Sequence, residues 1–284
     1  MQTTINASGQ LLDLSSPKIM GILNLTPDSF YDGGRYLGEE AYLRQLEQML
    51  QQGIDILDIG GASTKPGAVA VSAEEELKRI LEPLKRIRQE FPELLISIDS
   101  YWAKVIEATA AEGIHIVNDI SAGGIDPELW PMVAKLGLPY ILMHMQGQPE
   151  TMQNQPQYTS VVLEVYDFFV ERLGALRQLG VKDVILDLGF GFGKTLEQNY
   201  QLLAAGQAFK QLGLPILAGI SRKSMLYKLL DRQPAEVLPA TTAAHIIALE
   251  EGARILRVHD VEAARQAIGV WQAYQEAKQE LKIN

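Results

Sequence analysis

Six times along the chain, an amphipathic stretch ends in glycine and a short apolar run follows at once. These glycines are Gly53, Gly113, Gly137, Gly180, Gly213 and Gly252. Glycine adopts a positive φ angle without steric cost, and it therefore commonly ends a helix. The runs that follow are continuous in Ile, Leu and Val, which is typical of parallel strands buried on both faces. The pattern predicts helices that alternate with the strands of a parallel sheet.

Eight strand-like runs can be counted, and helices are predicted between them. The strands are predicted at 19–23, 54–59, 95–98, 116–118, 140–143, 184–186, 216–218 and 255–258, and helices at 72–90, 160–179 and 261–282 among others. Eight such units favour an α/β fold of the (β/α)8 TIM barrel type. An open doubly wound sheet gives the same local pattern and stays an alternative. Gly9-Gln10 predicts a short N-terminal hairpin that plugs the barrel bottom, and no linker divides residues 1–284, so one domain is expected.

Composition and charge narrow the class of protein and its partners. With 284 residues, 47% hydrophobic and 21% charged, the chain resembles an ordinary soluble globular protein. The absence of cysteine excludes disulfides and thiolate chemistry and suits a reducing cytoplasm. The net charge of −10 argues against a nucleic-acid partner. No apolar run approaches the roughly 18–20 residues that span a bilayer, so no membrane partner is expected.

Polar residues follow several of the predicted strands, where a barrel carries its chemistry. Asp99, Asn118 and Asp187 offer carboxylate and amide oxygens after strands three, four and six. Such acceptors suit a ring edge with neighbouring N–H groups, as in a 2-aminopyrimidinone. A structural hydrogen-bond network below the rim would use the same residues equally well. His144 ends strand five and is expected at the same mouth.

Cationic residues follow the last two strands. Lys223 comes after strand seven, and Arg257 and His259 are two apart on strand eight, so their side chains share a face. Barrels often bind phosphate at these loops, so the three residues predict a phosphorylated or pyrophosphorylated ligand. The run GFGFGK at 189–194 matches neither a Walker nor a dinucleotide motif. It is either a plain strand-to-helix turn or a turn that holds Phe192 over an aromatic substrate.

Several motifs resemble, in family order, those of the dihydropteroate synthases. They are GILNLTPDSFYDGG (21–34), SIDS (97–100), NDISAGG (118–124), LMHMQG (142–147), DLGFGFGK (187–194), GISRKSML (219–226) and RVHDV (257–261). The resemblance covers about residues 18–261. It implies a barrel enzyme that joins 6-hydroxymethyl-7,8-dihydropterin pyrophosphate to 4-aminobenzoate with the help of Mg²⁺. Members of this family are commonly homodimers.

The resemblance also implies roles for individual residues. The pterin is expected on Asp99, Asn118, Asp187 and Lys223, with Met143 and Gly219 also in the substrate site. Pyrophosphate and its metal are expected near Asn24, Thr64, Arg257 and His259, with Asn24 as the metal ligand. The aminobenzoate is expected near Thr64, Lys65, Pro66, Phe192 and Ser221, below a loop that carries Phe30 and Asp32. The catalytic set is Asp99, Asp187, Lys223, Arg257 and His259.

Three positions depart from the family pattern, and two other functions stay open. Lys65 stands where Arg is usual, Ala62 where Glu is common, and Leu188 where Pro is usual. A methyltetrahydrofolate-binding methyltransferase module would share the pterin cradle, but it would not need the TPDSFYDGG loop or the RVH ending. A pterin-binding paralogue without turnover is left open by Lys65 and Ala62.

Overall fold

Eight parallel strands close into a barrel, and an antiparallel hairpin precedes them. The computed structural model describes residues 2–26, 35–62, 71–147 and 156–283. Each barrel strand pairs with the next one along the chain, the last pairs with the first, and the two hairpin strands pair with each other. Closure of the ring excludes the open doubly wound sheet and confirms the predicted barrel.

The strands and helices alternate as the glycine pattern predicts. The strands are β1 (Thr4–Ala7), β2 (Gln10–Asp13), β3 (Lys18–Asn24), β4 (Ile56–Gly60), β5 (Leu95–Asp99), β6 (Ile116–Asp119), β7 (Tyr140–Met143), β8 (Val184–Asp187), β9 (Ile216–Ala218) and β10 (Ala253–Val258). The helices are α1 (Arg35–Gln51), α2 (Ala73–Glu90), α3 (Ala103–Ala110), α4 (Leu129–Leu136), α5 (Val161–Gln178), α6 (Leu196–Ala204), α7 (Gly206–Phe209), α8 (Ser224–Leu230), α9 (Leu238–Glu250) and α10 (Val261–Ile283). Each predicted strand overlaps an observed one.

Local sequence signals set the helix ends. The six repeat glycines all have positive φ angles, such as +87° at Gly113 and +90° at Gly180. At the opposite ends, the Ser72 hydroxyl accepts a hydrogen bond from the Glu75 N–H, and Thr195 and Gln198 form a capping box. These caps satisfy backbone donors that a helix start leaves free. They fix where α2 and α6 begin.

The hairpin closes the N-terminal end of the barrel. Its buried side chains Ile5, Ala7, Leu12 and Leu14 form one cluster with inward residues of seven barrel strands: Met20, Ile56, Ile116, Ile141, Ile185, Leu217 and Ile255. A separate, larger apolar cluster lies between the barrel and its helices. The predicted plug is therefore confirmed, and polar inward-facing residues are concentrated at the opposite end. Within the described ranges, no helix has the length and apolarity needed to cross a membrane.

Leu12 and Leu11 test the hairpin's contribution to stability. They are adjacent, but Leu12 is 3% exposed and Leu11 is 71% exposed. We expect Leu12→Ala to lower the free energy of unfolding by about 2–5 kcal/mol, because it opens a cavity in the plug. Leu11→Ala should change it by less than about 0.5 kcal/mol. Urea denaturation measures both, and equal effects of the two substitutions would contradict the plug.

Candidate active site

One cavity at the C-terminal mouth is lined by half of the predicted site residues. Its lining comprises Asp99, Asn118, Met143, Asp187, Phe192, Gly219, Lys223 and Arg257, together with Ile120 and Phe190. Five of these residues lie on strands β5, β6, β7, β8 and β10, and the others follow β6, β8 or β9. The acids and bases, distant in sequence, thus face the same opening.

Arg257 crosses this mouth and contacts two carboxylates. Its Nε donates to Asp58 Oδ2 at 2.6 Å and its Nη2 to Asp99 Oδ2 at 2.7 Å. Asn118 Nδ2 also donates to Asp58 Oδ2, at 3.0 Å. Asp58 is fully buried and was missed from the sequence. Its signal was a charged residue in the middle of the apolar run ILDIG, at an inward position of β4.

Two acids that share one guanidinium give the site unusual electrostatics. Burial raises the pKa of Asp99 to about 7; the charge of Arg257 opposes this rise, and the charge of Asp58 adds to it. Burial alone would lower the pKa of Arg257, but the negative charges of Asp58 and Asp99 outweigh this effect and raise it. Arg257 therefore stays charged, whereas Asp99 is harder to ionise than an exposed aspartate.

Asp187 has one engaged oxygen and one without a hydrogen bond. Its Oδ1 accepts the Gly189 N–H at 2.8 Å, and among the described residues Oδ2 has no hydrogen-bond partner. Gly219 lies beside Oδ2, because a Cβ at Gly219 would be 3.6 Å from that atom. Burial raises the pKa of Asp187, and its hydrogen bond with Gly189 opposes the shift. Asp187 can therefore offer an oriented acceptor to a ligand in the cavity.

Lys223 and Phe192 form one wall of the cavity. The Lys223 Nζ lies 4.0 Å from the centroid of the Phe192 ring, a cation–π contact. Burial lowers the pKa of Lys223 to about 8, and the charge of Arg257 contributes to the shift. The wall combines a hydrogen-bond donor with a flat apolar face, which suits a planar polar ring.

Three other predicted residues lie at the rim, outside the cavity lining. The Ser221 hydroxyl accepts a hydrogen bond from the backbone N–H of His259 at 3.2 Å, and it lies 3.1 Å from the ring nitrogen Nδ1 of the same residue. Desolvation lowers the pKa of His259, with the charge of Arg257 contributing. A Cβ placed on Gly60 would be 3.5 Å from both Asn24 Oδ1 and Asp99 Cβ, so Asn24 borders the same mouth.

The expectation that His144 faces the mouth is wrong. Its ring makes an edge contact with Phe168 of α5, with the centroids 4.8 Å apart. Successive side chains of a strand point to opposite faces, and Met143 takes the inward position. The remaining predicted residues, Phe30, Asp32, Thr64, Lys65 and Pro66, lie outside the described residues.

A second acid missed from the sequence lies below the site. Glu76 in the first turn of α2 is 1% exposed, and its Oε2 accepts the Ser100 hydroxyl at 3.2 Å. Burial raises the pKa of Glu76 to about 8, and the charge of Asp99 adds to the rise. Three consecutive glutamates at a helix start are typical of a solvated end, so nothing local marks Glu76 as buried.

The fold and site define a (β/α)8-barrel protein with a ligand cavity at the C-terminal ends of its strands. Residues 20–259 match the family model described as pterin binding enzyme. The dihydropteroate synthase of Haemophilus influenzae is 45% identical over 94% of this chain and 97% of that relative. The chain belongs to the dihydropteroate synthase family of pterin-binding enzymes.

Solved structures agree with this assignment. The Yersinia pestis dihydropteroate synthase, solved with a sulfonamide drug complex, aligns with a TM-score of 0.90 at 41% identity, covering 96% of this chain and 99% of that one. The Xanthomonas albilineans dihydropteroate synthase, solved with 4-aminobenzoic acid, aligns with a TM-score of 0.89 at 41% identity, covering 97% and 99%. The likeness therefore extends over the whole barrel.

Glu76 predicts a specific dependence of stability on pH. Its folded pKa of about 8 exceeds the ordinary value of 4.5, so the folded state binds this proton more tightly than the unfolded state does. Ionisation of Glu76 should therefore lower the free energy of unfolding as the pH rises from about 4.5 to 8. Glu76→Gln cannot ionise. Its stability relative to wild type should rise over that interval, by on the order of 2–4 kcal/mol.

Urea denaturation at pH 5 and pH 8 measures this difference. Glu75→Gln is the matched control, because the Glu75 side chain is 45% exposed on the same helical turn. A difference between wild type and Glu76→Gln that is constant with pH would show that Glu76 is ionised throughout.

Proposed function

We propose that this protein is a dihydropteroate synthase, a transferase that joins 6-hydroxymethyl-7,8-dihydropterin pyrophosphate to 4-aminobenzoate and releases pyrophosphate. Family membership supports the activity. The main structural support in this chain is that five residues line the same cavity: Asp99, Asn118, Asp187, Lys223 and Arg257. It offers acceptors for a pterin ring edge beside cations that can face a leaving diphosphate.

The pterin ring would lie against the Phe192–Lys223 wall, with its N–H edge toward Asp187. Among the described residues, no donor binds the Oδ2 of Asp187, and a carboxylate can accept two parallel N–H bonds. Asp99 and Asn118 are joined through Arg257 and Asp58, so they form the rigid opposite side. Met143 and Gly219 complete the lining.

In the reaction, the amine nitrogen of 4-aminobenzoate bonds to the methylene carbon of the pterin while the C–O bond to pyrophosphate breaks. The electron pair of that bond leaves with pyrophosphate, and the amine releases its surplus proton to solvent or to the leaving group. The aromatic amine is a weak nucleophile, so C–O cleavage must develop positive charge on the pterin. Asp187 and Asp99 would stabilise that charge in a buried site.

The leaving pyrophosphate would face Arg257 and the Ser221–His259 pair at the rim. Asn24 is a suitable ligand for Mg²⁺. Its amide oxygen is a hard ligand at the mouth, and Mg²⁺ usually takes few protein ligands and completes its shell with water and phosphate oxygens. In the described ranges, no group of three or more His, Cys, Asp or Glu could hold a metal. When bound, Mg²⁺ would neutralise charge on the diphosphate.

The aminobenzoate would occupy the outer part of the site. Phe192 and Ser221 are the described residues proposed to contact it, and Phe30, Asp32, Thr64, Lys65 and Pro66 stay predictions. The X. albilineans relative was solved with 4-aminobenzoic acid, which supports a site for this substrate in the family.

One assay tests the function against its two alternatives. Pyrophosphate release should require both dihydropterin pyrophosphate and 4-aminobenzoate. A pterin-binding paralogue would bind the pterin without release, and a methyltetrahydrofolate-binding module would bind methyltetrahydrofolate in its place. Either outcome would contradict the proposal.

Crossing two variants with two ligands separates the two halves of the site. Asp187→Asn should weaken binding of both 6-hydroxymethyl-7,8-dihydropterin and its pyrophosphate by about 10–100-fold, because a charged acceptor for the ring is lost. His259→Ala should weaken only the pyrophosphorylated ligand, by about 3–10-fold. Calorimetric titration with and without Mg²⁺ measures all four affinities. Equal losses for both ligands in His259→Ala would refute its placement at the diphosphate.

We also propose that two copies of the chain pair through helices α9 and α10. Ile247, Val270 and Tyr274 on these neighbouring helices are 47%, 68% and 55% exposed, and a second copy would cover such large apolar side chains. Sedimentation equilibrium should show a dimer that Ile247→Asp weakens. Leu163→Asp on α5, where Leu163 is 64% exposed, is the control and should leave the dimer intact. A wild-type monomer at micromolar concentration would contradict the pairing.

A further inference from the structure

Lys194, the last residue of the GFGFGK run, is a buried cation that the proposed reaction does not use. It is 4% exposed. Its ammonium donates to three backbone carbonyls: Gly189 at 2.9 Å, Phe192 at 2.9 Å and His144 at 3.2 Å. All three donors of the ammonium are thus satisfied by backbone oxygen, and no carboxylate forms an ion pair with it in the described ranges. Burying a charge in this way is costly, so the arrangement needs a compensating role.

The three carbonyls belong to two segments that Lys194 joins. One is the glycine-rich turn after β8, and the other is the chain that leaves β7 at His144. Gly189 and Gly193 have φ angles of +67° and +59°, and a Cβ on either would overlap with the backbone of His144 or Gln146. The two segments therefore pack backbone against backbone. Their carbonyl oxygens converge there, and a positive charge offsets the repulsion between them.

The start of α6 does not need Lys194. Thr195 and Gln198 form its capping box, and Asn199 from the next turn accepts the Gly191 N–H at 2.7 Å. Lys194 instead contacts the part of the turn that faces the cavity. Gly189, whose carbonyl it binds, donates its N–H to Asp187 Oδ1 at 2.8 Å. Phe192, whose carbonyl it also binds, places its ring 4.0 Å from Lys223 Nζ.

We propose that Lys194 is a positioning residue, an internal cation that holds the glycine-rich turn so that Asp187 and Phe192 face the pterin. It touches neither substrate. It acts through two residues that it binds: Gly189, whose N–H holds the Asp187 carboxylate by Oδ1, and Phe192, whose ring lines the cavity. This inference rests on the proposed assignment of Asp187 and Phe192 to the substrate site.

Chemical rescue of Lys194→Ala tests the role of the cation. The atoms removed by this substitution correspond to n-propylammonium, which can enter the space that they leave. We expect the variant to bind 6-hydroxymethyl-7,8-dihydropterin at least about 10-fold more weakly, because the turn loses three charge-assisted hydrogen bonds. Millimolar n-propylammonium should restore much of that affinity, whereas equal concentrations of tetramethylammonium or sodium chloride should not. Calorimetry at pH 6.5 suits the assay, because burial lowers the pKa of Lys194 to about 7.

Three controls separate positioning from a general loss of structure. Lys135→Ala removes an exposed lysine paired with Glu107 and should bind pterin normally. The affinity of Lys194→Ala for inorganic pyrophosphate should stay near wild type, because in the described ranges no hydrogen bond joins the rim pair Ser221–His259 to the turn. If Lys194→Ala does not fold, Lys194→Gln is titrated instead. It keeps N–H donors without the charge, and it should still bind pterin several-fold more weakly.

The outcomes distinguish this inference from the proposed function. Normal pterin affinity in a folded Lys194→Ala or Lys194→Gln overturns the positioning role, and so does a loss that n-propylammonium does not relieve. If Asp187→Asn also binds pterin normally, the proposed site itself fails. Loss of pterin binding in Asp187→Asn, with none in the Lys194 variants, overturns only the present inference.

Discussion

The mouth of the barrel depends on one guanidinium that two buried carboxylates share. Arg257 at 2.6 Å from Asp58 and 2.7 Å from Asp99 links β10 to β4 and β5 across the end of the barrel. These buried ionisable groups are tolerated because the guanidinium is hydrogen-bonded to both carboxylates. Removal of Arg257 would leave two buried carboxylates without their shared cation. The polar end of the barrel is therefore built before a ligand arrives.

The two ends of the barrel therefore differ: one is filled with apolar side chains, and the other carries the charged residues of the site. The hairpin fills the N-terminal end with apolar side chains, so that end contributes stability. The C-terminal end carries charges that are expensive to bury, and the core formed elsewhere offsets their cost. Glu76 and Lys194 are two further buried ionisable groups next to the site. Glu76 accepts a hydrogen bond from Ser100, which follows Asp99, and Lys194 donates to the backbone of the turn that follows Asp187.

The sequence predicted the barrel and the charged residues of the cavity from local rules, whereas Met143 and Gly219 were predicted from the family resemblance. Glycine ends helices, and strand ends collect at one side of a parallel barrel. Asp58, Glu76 and Lys194 were missed as buried groups because their environment is set by residues distant in the chain. His144 lies outside the mouth because side chains alternate along a strand and Met143 takes the inward position. The roles of Phe30, Asp32, Thr64, Lys65 and Pro66, the metal ligand Asn24, the single domain and the cytoplasmic location stay predictions.

A crystal structure with 6-hydroxymethyl-7,8-dihydropterin pyrophosphate bound would test the central claim most directly. The account predicts that the N–H edge of the ring lies within hydrogen-bond distance of Asp187 Oδ2. We also expect the ring to pack against Phe192 and the diphosphate to face Arg257 and His259. Electron density for the pterin in any other cavity, or in this cavity without contact to Asp187, would contradict the account.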